Sequence, residues 1–289
     1  MKSAKRLISV LFALALIVSV FCGCAKTEDT SQLSENALER NEYVAFLETE
    51  DDADCSLIHI GEHNILIDTG TDDDAEDILE YLNAKNINSL EYMVLSHFDK
   101  DHCGGATEIL NSIQVDKVVH PKYVEESKAS TEFLDAVKNK GVTETVIDEV
   151  TEYRFDTISL TFYPSDYEYE NKTSNNSSLV VKLTYLEKSV LFTGDIETDR
   201  VSDLVNDTDV EYLNADVLKV PYHGREIENE KAFIDAVSPS YSVVTGKGKK
   251  VKNNIESLGD SLGEVYYSQD GTVTFYFNFN GDFEITVMK

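Results

Sequence analysis

The stretch Leu95–Gly105 reads LSHFDKDHCGG and groups two histidines with two aspartates at His97, Asp99, Asp101 and His102. It follows an apolar run that predicts a buried strand, at the point where a helix is expected to begin. Neutral imidazole and carboxylate groups together suit divalent metal ions, and ligands close in sequence lower the entropy needed to build a site. The stretch therefore predicts a metal site, although a solvated acidic turn stays open on this stretch alone.

Three more blocks place a ligand-type residue just after an apolar run, with a glycine beside it. They are Ile67–Gly70 (IDTG), Phe192–Asp195 (FTGD) and Pro221–Gly224 (PYHG), which contribute Asp68, Asp195 and His223. Glycine lets the backbone turn tightly, and loops at strand ends can converge on one point. A single block of this kind is more simply a strand-ending turn, but all of them together predict one composite site.

The elements that must position these residues alternate between strands and helices. Apolar runs predict strands at Tyr43–Glu48, Cys55–Ile60, Asn64–Ile67, Leu90–Leu95, Val115–Val119, Ile158–Tyr163, Leu179–Tyr185, Ser189–Thr193, Val217–Val220 and Tyr241–Val244. Helical spacing predicts helices at Ala106–Ile113, Glu126–Lys138, Asp199–Val205 and Glu228–Val237. Two strand-rich halves, each followed by helices, fit an α/β protein with two face-to-face sheets and helices outside.

The N-terminus has the pattern of an export signal. Lys2, Lys5 and Arg6 precede the apolar run Leu7–Phe21, which is short for a membrane span. The ending FCGC resembles a bacterial lipobox, which implies cleavage before Cys24 and a lipid on its sulfur. An ordinary signal peptide cut nearby is the alternative.

The predicted organisation is a lipoprotein signal peptide over residues 1–23, a polar tether over 24–41 and one folded domain over 42–289. Residues 25–41 are polar without an apolar period, which is typical of a flexible tether. We predict an exported, extracytoplasmic protein anchored to the bacterial cell membrane through the lipid on Cys24, with no protein partner evident. Whether the remaining cysteines, Cys55 and Cys103, pair is left open.

The motifs carry a family resemblance. From about Tyr43 onward, the body is similar to metallo-β-lactamase-fold hydrolases, and among them to the extracellular domain of the DNA-uptake protein ComEC and its free-standing relatives. The resemblance includes the acidic turn before Cys55, DTG, SHxDxDHxGG, NNSSLV followed by LFTGD, LKVPYHG and the closing stretch Val265–Val273. It implies a four-layer αββα fold and hydrolysis by a hydroxide held between two divalent metal ions.

Carried over position by position, the resemblance implies a role for each ligand-type residue. The first metal would be bound by His97 and Asp99, the second by Asp101, His102 and His223, with Asp195 bridging both. Asp101 would also orient the hydroxide, and Asp68 would orient the loop that carries the ligands. The wider superfamily has histidine at Asp99 and near Asn175 or Asn176, whereas the ComEC-like branch commonly has aspartate and asparagine there, as this chain does. The oxygen-rich first site shifts the expected metal from zinc toward manganese or magnesium.

One departure concerns the residue before His223. The ComEC-like branch usually has two histidines there, whereas this chain has Tyr222. If the missing histidine is a ligand, the second site weakens; if it is an outer hydrogen-bond donor, the tyrosine hydroxyl can replace it, and we favour this second interpretation.

The substrate is constrained by charge. A formal net charge of −29 works against long-range attraction of nucleic acid, so an anionic substrate needs a local exception. The resemblance puts the basic loop Thr245–Lys252 near the rim of the site, where Lys249, Lys250 and Arg225 would supply a positive field. A solvated turn is the alternative. The backbone N–H groups of Gly104 and Gly105 are expected to be free to meet an anion.

Three functions follow from these observations. We predict a hydrolase of phosphodiesters, with DNA as a candidate substrate. The alternatives are a binding lipoprotein with impaired catalysis and an esterase or lactonase of the same superfamily.

The lipid anchor is tested by the substitution Cys24→Ser. Because the acylated sulfur is removed, the protein is expected to leave the membrane fraction for the medium or to remain uncleaved. Fractionation followed by immunoblotting measures this. If the variant stays in the membrane fraction and still requires detergent for its release, lipidation at Cys24 is refuted.

Overall fold

Two β-sheets lie face to face, and each carries helices on its outer surface. The computed structural model describes residues 42–50, 52–165, 169–170, 172–206, 210–278 and 281–289. The predicted signal peptide, the tether and Cys24 lie outside these residues. Within the described ranges, no helix is both long enough and apolar enough to cross a membrane.

The strands of the described chain are β1 (Tyr43–Phe46), β2 (Ser56–Ile60), β3 (His63–Ile67), β4 (Ser89–Val94), β5 (Gln114–Pro121), β6 (Thr143–Ile147), β7 (Thr151–Phe155), β8 (Ile158–Tyr163), β9 (Val180–Tyr185), β10 (Lys188–Phe192), β11 (Val217–Lys219), β12 (Tyr241–Val244), β13 (Glu264–Tyr267), β14 (Thr272–Phe277) and β15 (Phe283–Met288). The α-helices are α1 (Ala75–Ala84), α2 (Lys100–Cys103), α3 (Ala106–Ser112), α4 (Lys128–Lys140), α5 (Thr173–Asn176), α6 (Thr198–Asn206), α7 (Glu230–Val237) and α8 (Lys249–Leu258). Short 3-10 helices include Pro221–Gly224.

The strand order brings several strand ends to one edge of the molecule. The first sheet runs β15-β14-β1-β2-β3-β4-β5-β6 and the second β13-β12-β11-β10-β9-β8-β7. Strands β3 to β6 are mutually parallel, and so are β10 to β13. Strand β9 is antiparallel to both β8 and β10, so β8 and β10 run in the same direction. Loops that follow parallel strands therefore emerge together at the C-terminal edge of each sheet.

Three apolar layers hold the elements together. The inner layer lies between the sheets, where Phe46 and Phe192 rings meet with centroids 5.7 Å apart. The second layer joins the first sheet to α1, α3 and α4, and the third joins the second sheet to α6, α7 and α8. Strand β1 contributes to two layers, since Val44 faces the inner one and Ala45 the helices. The four-layer αββα architecture is confirmed.

One strand pairing was not predicted, and one predicted loop was wrong. The C-terminal strands β14 and β15 belong to the first sheet, because β14 pairs with β1 through Tyr43 and Tyr276. The first sheet therefore combines strands from the N-terminal and the C-terminal parts of the folded chain. The stretch with Lys249 and Lys250 is the first turn of α8 and not a loop. The loop ends at Gly248, which has φ of +90°, and Val251 and its helically spaced neighbours are buried against the second sheet.

A buried polar pair joins α7 to α8. Glu230 is 3% exposed, and its Oε2 accepts a hydrogen bond of 2.8 Å from Asn254 Nδ2. Its Oε1 has no hydrogen-bond partner among the described residues. Burial raises the pKa of the Glu230 carboxyl to about 7. The folded protein therefore keeps a proton on Glu230 over a pH range in which the unfolded chain has lost it.

The substitution Glu230→Gln tests this pair through stability. The free energy of unfolding should fall as pH rises from about 4.5 to about 7, because only the unfolded state ionises there. Glutamine mimics the protonated acid, so the variant should be more stable than the wild type at pH 8 by roughly 2–3 kcal/mol and nearly equal at pH 5. Thermal unfolding in EDTA measures both, with the exposed Glu228→Gln as control. A Tm difference that does not change with pH would contradict the prediction.

Candidate metal centre

The predicted ligand loops meet at the C-terminal edge of the two sheets. Asp68 directly follows β3, His97 follows β4, Asp195 follows β10 and His223 follows β11. A backbone hydrogen bond of 2.8 Å from Leu179 N–H to Ser96 C=O ties the β4 loop to the second sheet. The strand order thus places residues distant in sequence around one point.

Backbone hydrogen bonds hold the loops of the first sheet against one another. Thr69 N–H donates to His102 C=O at 2.7 Å, and Asp54 N–H donates to Asp101 C=O at 3.0 Å. A Cβ atom at Gly105 would lie 2.4 Å from Thr69 O, so only glycine permits this approach. Gly104 N–H donates to Gly70 C=O at 3.0 Å, and Gly105 N–H points to the same oxygen at 3.4 Å. The expectation that these N–H groups are free for an anion was therefore wrong.

Four buried side-chain atoms point into one space without a hydrogen-bond partner in the described part of the chain. They are His97 Nε2, His102 Nε2, His223 Nε2 and Asp195 Oδ1. Asp195 lies between two imidazoles, with Oδ1 3.2 Å from His102 Nε2 and Oδ2 2.8 Å from His223 Nε2. Buried polar atoms are rarely left unpaired, so this set indicates a binding site for a cation.

The Nδ1 atom of each of these histidines contacts a side chain outside the cluster of unpaired atoms. Asp68 Oδ2 lies 2.9 Å from His102 Nδ1, and the same carboxylate accepts hydrogen bonds from Ser96 N–H and Oγ. Thr245 Oγ1 lies 3.0 Å from His223 Nδ1, and Ser96 Oγ lies 3.0 Å from His97 Nδ1. A carboxylate behind Nδ1 keeps the proton there and directs the Nε2 lone pair inward, as in metal-binding histidines.

Asp99 and Asp101 lie on the open side of the cluster. Asp99 Oδ1 accepts a 2.5 Å hydrogen bond from Ser174, while its Oδ2 lies 3.7 Å from His97 Nε2. Asp101 Oδ2 lies 3.3 Å from His223 Nε2. About a third of each carboxylate side chain is exposed, so both can reach a bound ion and a substrate together.

Two residues of the site, Asp54 and Lys219, were missed in the sequence. Lys219 ends β11 and is 3% exposed; its ammonium pairs with Asp54, donates to Gly194 C=O at 3.0 Å and lies 3.5 Å from Asp195 Oδ1. Asp54 was visible only as part of an acidic turn, and Lys219 only as part of the motif LKVPYHG.

Asp54, His102, Asp195 and His223 offer ligand atoms that all lie within 4.8 Å of one another. We assign Asp54 an orienting role, because its oxygens contact Lys219 and the outward Nδ1 of His223 at 3.2 Å.

The charges of the cluster set its protonation. Burial lowers the pKa of His97 to about 4, so this imidazole is neutral and able to ligate. Burial also lowers the pKa of His223, but the charges of Asp195 and Asp54 outweigh it and raise the value to about 10. Despite burial, His223 and His102 hold the pKa of Asp195 well below its usual range. Without a metal, protons on the imidazoles balance the negative charge of the carboxylates. A divalent ion would displace these protons and supply the positive charge instead.

The described residues therefore fit a divalent metal. Unpaired imidazole nitrogens and carboxylate oxygens converge, and each histidine is oriented from outside. Mixed nitrogen and oxygen donors suit manganese or zinc, and magnesium to a lesser degree. The assignment of His97 with Asp99, and of Asp101, His102 and His223, to separate ions bridged by Asp195 stays a prediction.

The other predicted residues lie around this cluster. Asn176 Oδ1 accepts from the backbone N–H groups of Glu197 and Arg200, so it caps the start of α6. The Tyr222 ring lies between Lys172 and Arg225, with the ring centroid 5.8 Å from the ammonium and 5.1 Å from the guanidinium carbon.

Arg225, Lys249 and Lys250 line a cavity of about 820 Å³, and Lys247 and Gly248 also contribute to its wall. The backbone beside this cavity touches the site, since Gly246 N–H donates to His223 C=O at 3.0 Å.

The three histidines outside the cluster contact other side chains. His59 Nδ1 lies 2.7 Å from Asn64 Oδ1, His63 Nδ1 lies 2.5 Å from Glu91, and His120 Nε2 lies 3.0 Å from Glu144. Cys55 and Cys103 are both buried and free.

Comparison with known proteins agrees with the fold. Residues 49–247 match the family model of the Metallo-beta-lactamase superfamily, and the chain belongs to this superfamily. It is similar to ComE operon protein 3 of Bacillus subtilis (strain 168), with 30% identity over 220 residues that cover 72% of this chain and 27% of that protein. Competence protein ComA of Neisseria gonorrhoeae is 28% identical over 207 residues, which cover 70% of this chain and 27% of the relative.

This chain therefore spans about a quarter of the length of these two relatives. Among solved structures, Igni18, a metallo hydrolase from the archaeon Ignicoccus hospitalis KIN4/I, aligns with a TM-score of 0.53. The alignment covers 82% of this chain and 100% of Igni18 at 17% identity, which supports the fold alone.

Metal binding is tested by Asp195→Asn and His102→Ala. Each substitution removes a ligand atom from the buried cluster, so each should weaken divalent-metal affinity by more than about tenfold, since even outer partners of ligands contribute 10- to 100-fold. Manganese and zinc titrations followed by elemental analysis measure this. His63→Ala, which removes an imidazole paired with Glu91, is the matched control. Wild-type metal affinity in either ligand variant would exclude that residue as a ligand.

Proposed function

We propose that the protein is a metal-dependent phosphodiester hydrolase that works at the outer face of the cell membrane, with DNA as a candidate substrate. The observation that carries the hydrolase proposal is the set of unpaired inward atoms on His97, His102, His223 and Asp195. Anchoring rests on Cys24 and the sequence around it. The full-length relatives are much longer than this chain, so their activity is carried over only as part of this proposal.

The metal-dependent chemistry fits the cluster. Divalent ions bound there would acidify water and neutralise the charge that develops on a phosphoryl group. Asp101 contacts His223 and is partly exposed, so it is placed to accept a proton from the attacking water. Asp195 lies between His102 and His223, with one carboxylate oxygen near each imidazole.

A phosphodiester substrate is supported by two observations. One relative is named Competence protein ComA, and the motifs of this chain resemble those of the DNA-uptake protein ComEC, which supports a DNA-related substrate. Lys247, Lys249 and Lys250 line one cavity beside the His223 loop, together with Glu226 and with Arg225, which pairs with Asp52 at 3.1 Å. The three lysines would supply the local positive field that so acidic a chain needs.

A second candidate is a binding protein that has lost catalysis. Tyr222 favours it, because it stands where the resemblance implies a histidine, and its ring contacts Lys172 and Arg225. Turnover separates the two functions. We expect manganese-dependent cleavage of bis(p-nitrophenyl) phosphate and slower cleavage of p-nitrophenyl acetate. Bound metal without turnover of either ester would favour the binding protein. Faster cleavage of the acetate than of the phosphodiester would favour an esterase.

The basic cavity is tested by the double substitution Lys249→Glu and Lys250→Glu. Reversal of two charges should raise KM for an anionic phosphodiester severalfold at low salt and should flatten its salt dependence, because exposed charges are screened within about 8–10 Å at physiological salt. A neutral ester should be little affected.

Steady-state kinetics at low and high ionic strength measure these effects. The double variant Lys138→Glu and Lys140→Glu on α4 makes the same change in net charge away from this cavity. If the Lys249 and Lys250 variant matches the wild type on the phosphodiester at low salt, these lysines do not bind substrate.

A further inference from the structure

A second cavity, of about 620 Å³, lies at the same edge as the metal centre. Its lining comes from the ends of β5 and β6, from described residues that follow β8 and from α5, and includes Pro121, Tyr123, Ile147, Pro164, Tyr169 and Thr173. Its volume is in the range of small-molecule sites, roughly 300–1,000 Å³. Neither the metal cluster nor the basic cavity accounts for it.

The cavity shares a wall with the metal centre. Thr173 and Ser177 line it, and they are sequence neighbours of the two serines that contact the cluster. Ser174 donates to Asp99 Oδ1 at 2.5 Å, and Ser178 Oγ lies 3.3 Å from His97 Nδ1. A molecule in this cavity would therefore lie beside Asp99.

The chemistry of the walls suits a flat ring. Two tyrosines, two prolines and an isoleucine supply apolar and aromatic surface. Both tyrosine hydroxyls donate hydrogen bonds, Tyr123 to Glu125 at 2.7 Å and Tyr169 to Asp203 at 2.8 Å. Lys122 and Asp148 are both exposed on the lining, and Lys122 has no ion-pair partner within the described ranges.

We propose that this cavity binds the aromatic base of a nucleotide whose phosphate lies at the metal centre. The proposal rests on the proposed phosphodiesterase function and extends it to a nucleotide substrate with a defined direction. The base stacks against the tyrosine rings, Lys122 meets the electronegative edge or ribose oxygens, and the following phosphates extend toward Arg225 and Lys249. In a nucleotide chain, an aromatic base lies on one side of a given phosphate and further phosphates lie on the other. The cavity with the tyrosines suits the base, and the cavity with the lysines suits the further phosphates.

Turnover of two matched substrates tests the base site. Thymidine 5′-(p-nitrophenyl phosphate) and methyl p-nitrophenyl phosphate release the same phenolate, so their ratio of kcat/KM reports the thymidine group alone. We expect the wild type to prefer the thymidine ester by roughly five- to a hundredfold, the range for one base stacked on an aromatic side chain. Tyr123→Ala should remove most of this preference, and Tyr123→Phe should keep it.

The controls separate a local loss of binding from a general effect. Tyr123 is 37% exposed, so its truncation leaves the core intact. Leu186→Ala is the matched control, because Leu186 is also 37% exposed and lies in the β9–β10 turn at the opposite edge. Methyl ester turnover should be unchanged in Tyr123→Ala. Equal kcat/KM for both esters in the wild type would overturn the base site while leaving the phosphodiesterase function standing.

A binding measurement keeps the proposal testable if no diester is cleaved. Calorimetric titration of the manganese-loaded protein with thymidine 5′-monophosphate and with inorganic phosphate compares the ligand with and without a base. We expect at least fivefold tighter binding of the nucleotide, with the difference reduced in Tyr123→Ala and in Lys122→Ala. Equal affinity for the two ligands would overturn the base site whatever the turnover result.

Discussion

Buried negative charge at the meeting edge of the two sheets is the constraint on which the structure depends. The carboxylates of Asp54, Asp68 and Asp195 are all nearly inaccessible to water. Charges removed from water are tolerated only when they are paired, so the groups around them must be cationic and fixed. Lys219, whose pKa is raised by Asp54 and Asp195 despite its burial, supplies one permanent positive charge. Protons on the histidines or bound metal ions supply the remaining positive charge. The stability of this edge therefore depends on what the site binds.

The part of the site predicted from sequence is the part encoded locally. The loop from His97 to His102 is contiguous, and Asp68, Asp195 and His223 are each marked by a nearby glycine. Lys219 has no such mark, because lysine in an apolar strand is ordinarily exposed and its burial depends on Asp54, 165 positions earlier.

The same limit applies to the fold. Most strands were recognisable from their apolar runs, and the predicted ends differ from the observed ones by one or two residues. The pairing of β14 with β1 was not recognisable, because it depends on contacts between segments more than 200 residues apart. The start of α8 was missed because its first turn is rich in lysine, and only the buried face from Val251 to Leu258 reveals the helix.

The position of β1 has a consequence for how the chain reaches this structure. Strand β1 lies between β2, which follows it closely, and β14, which comes more than 220 residues later. Until β14 arrives, one side of β1 is an open edge with apolar residues on both faces, the type of edge on which chains aggregate. Pairings of such long sequence separation form slowly, because loop closure must come before the contacts. Completion of the first sheet is therefore expected to be a late event in folding, and a chain interrupted before Thr272 would retain its ligand residues but expose this edge.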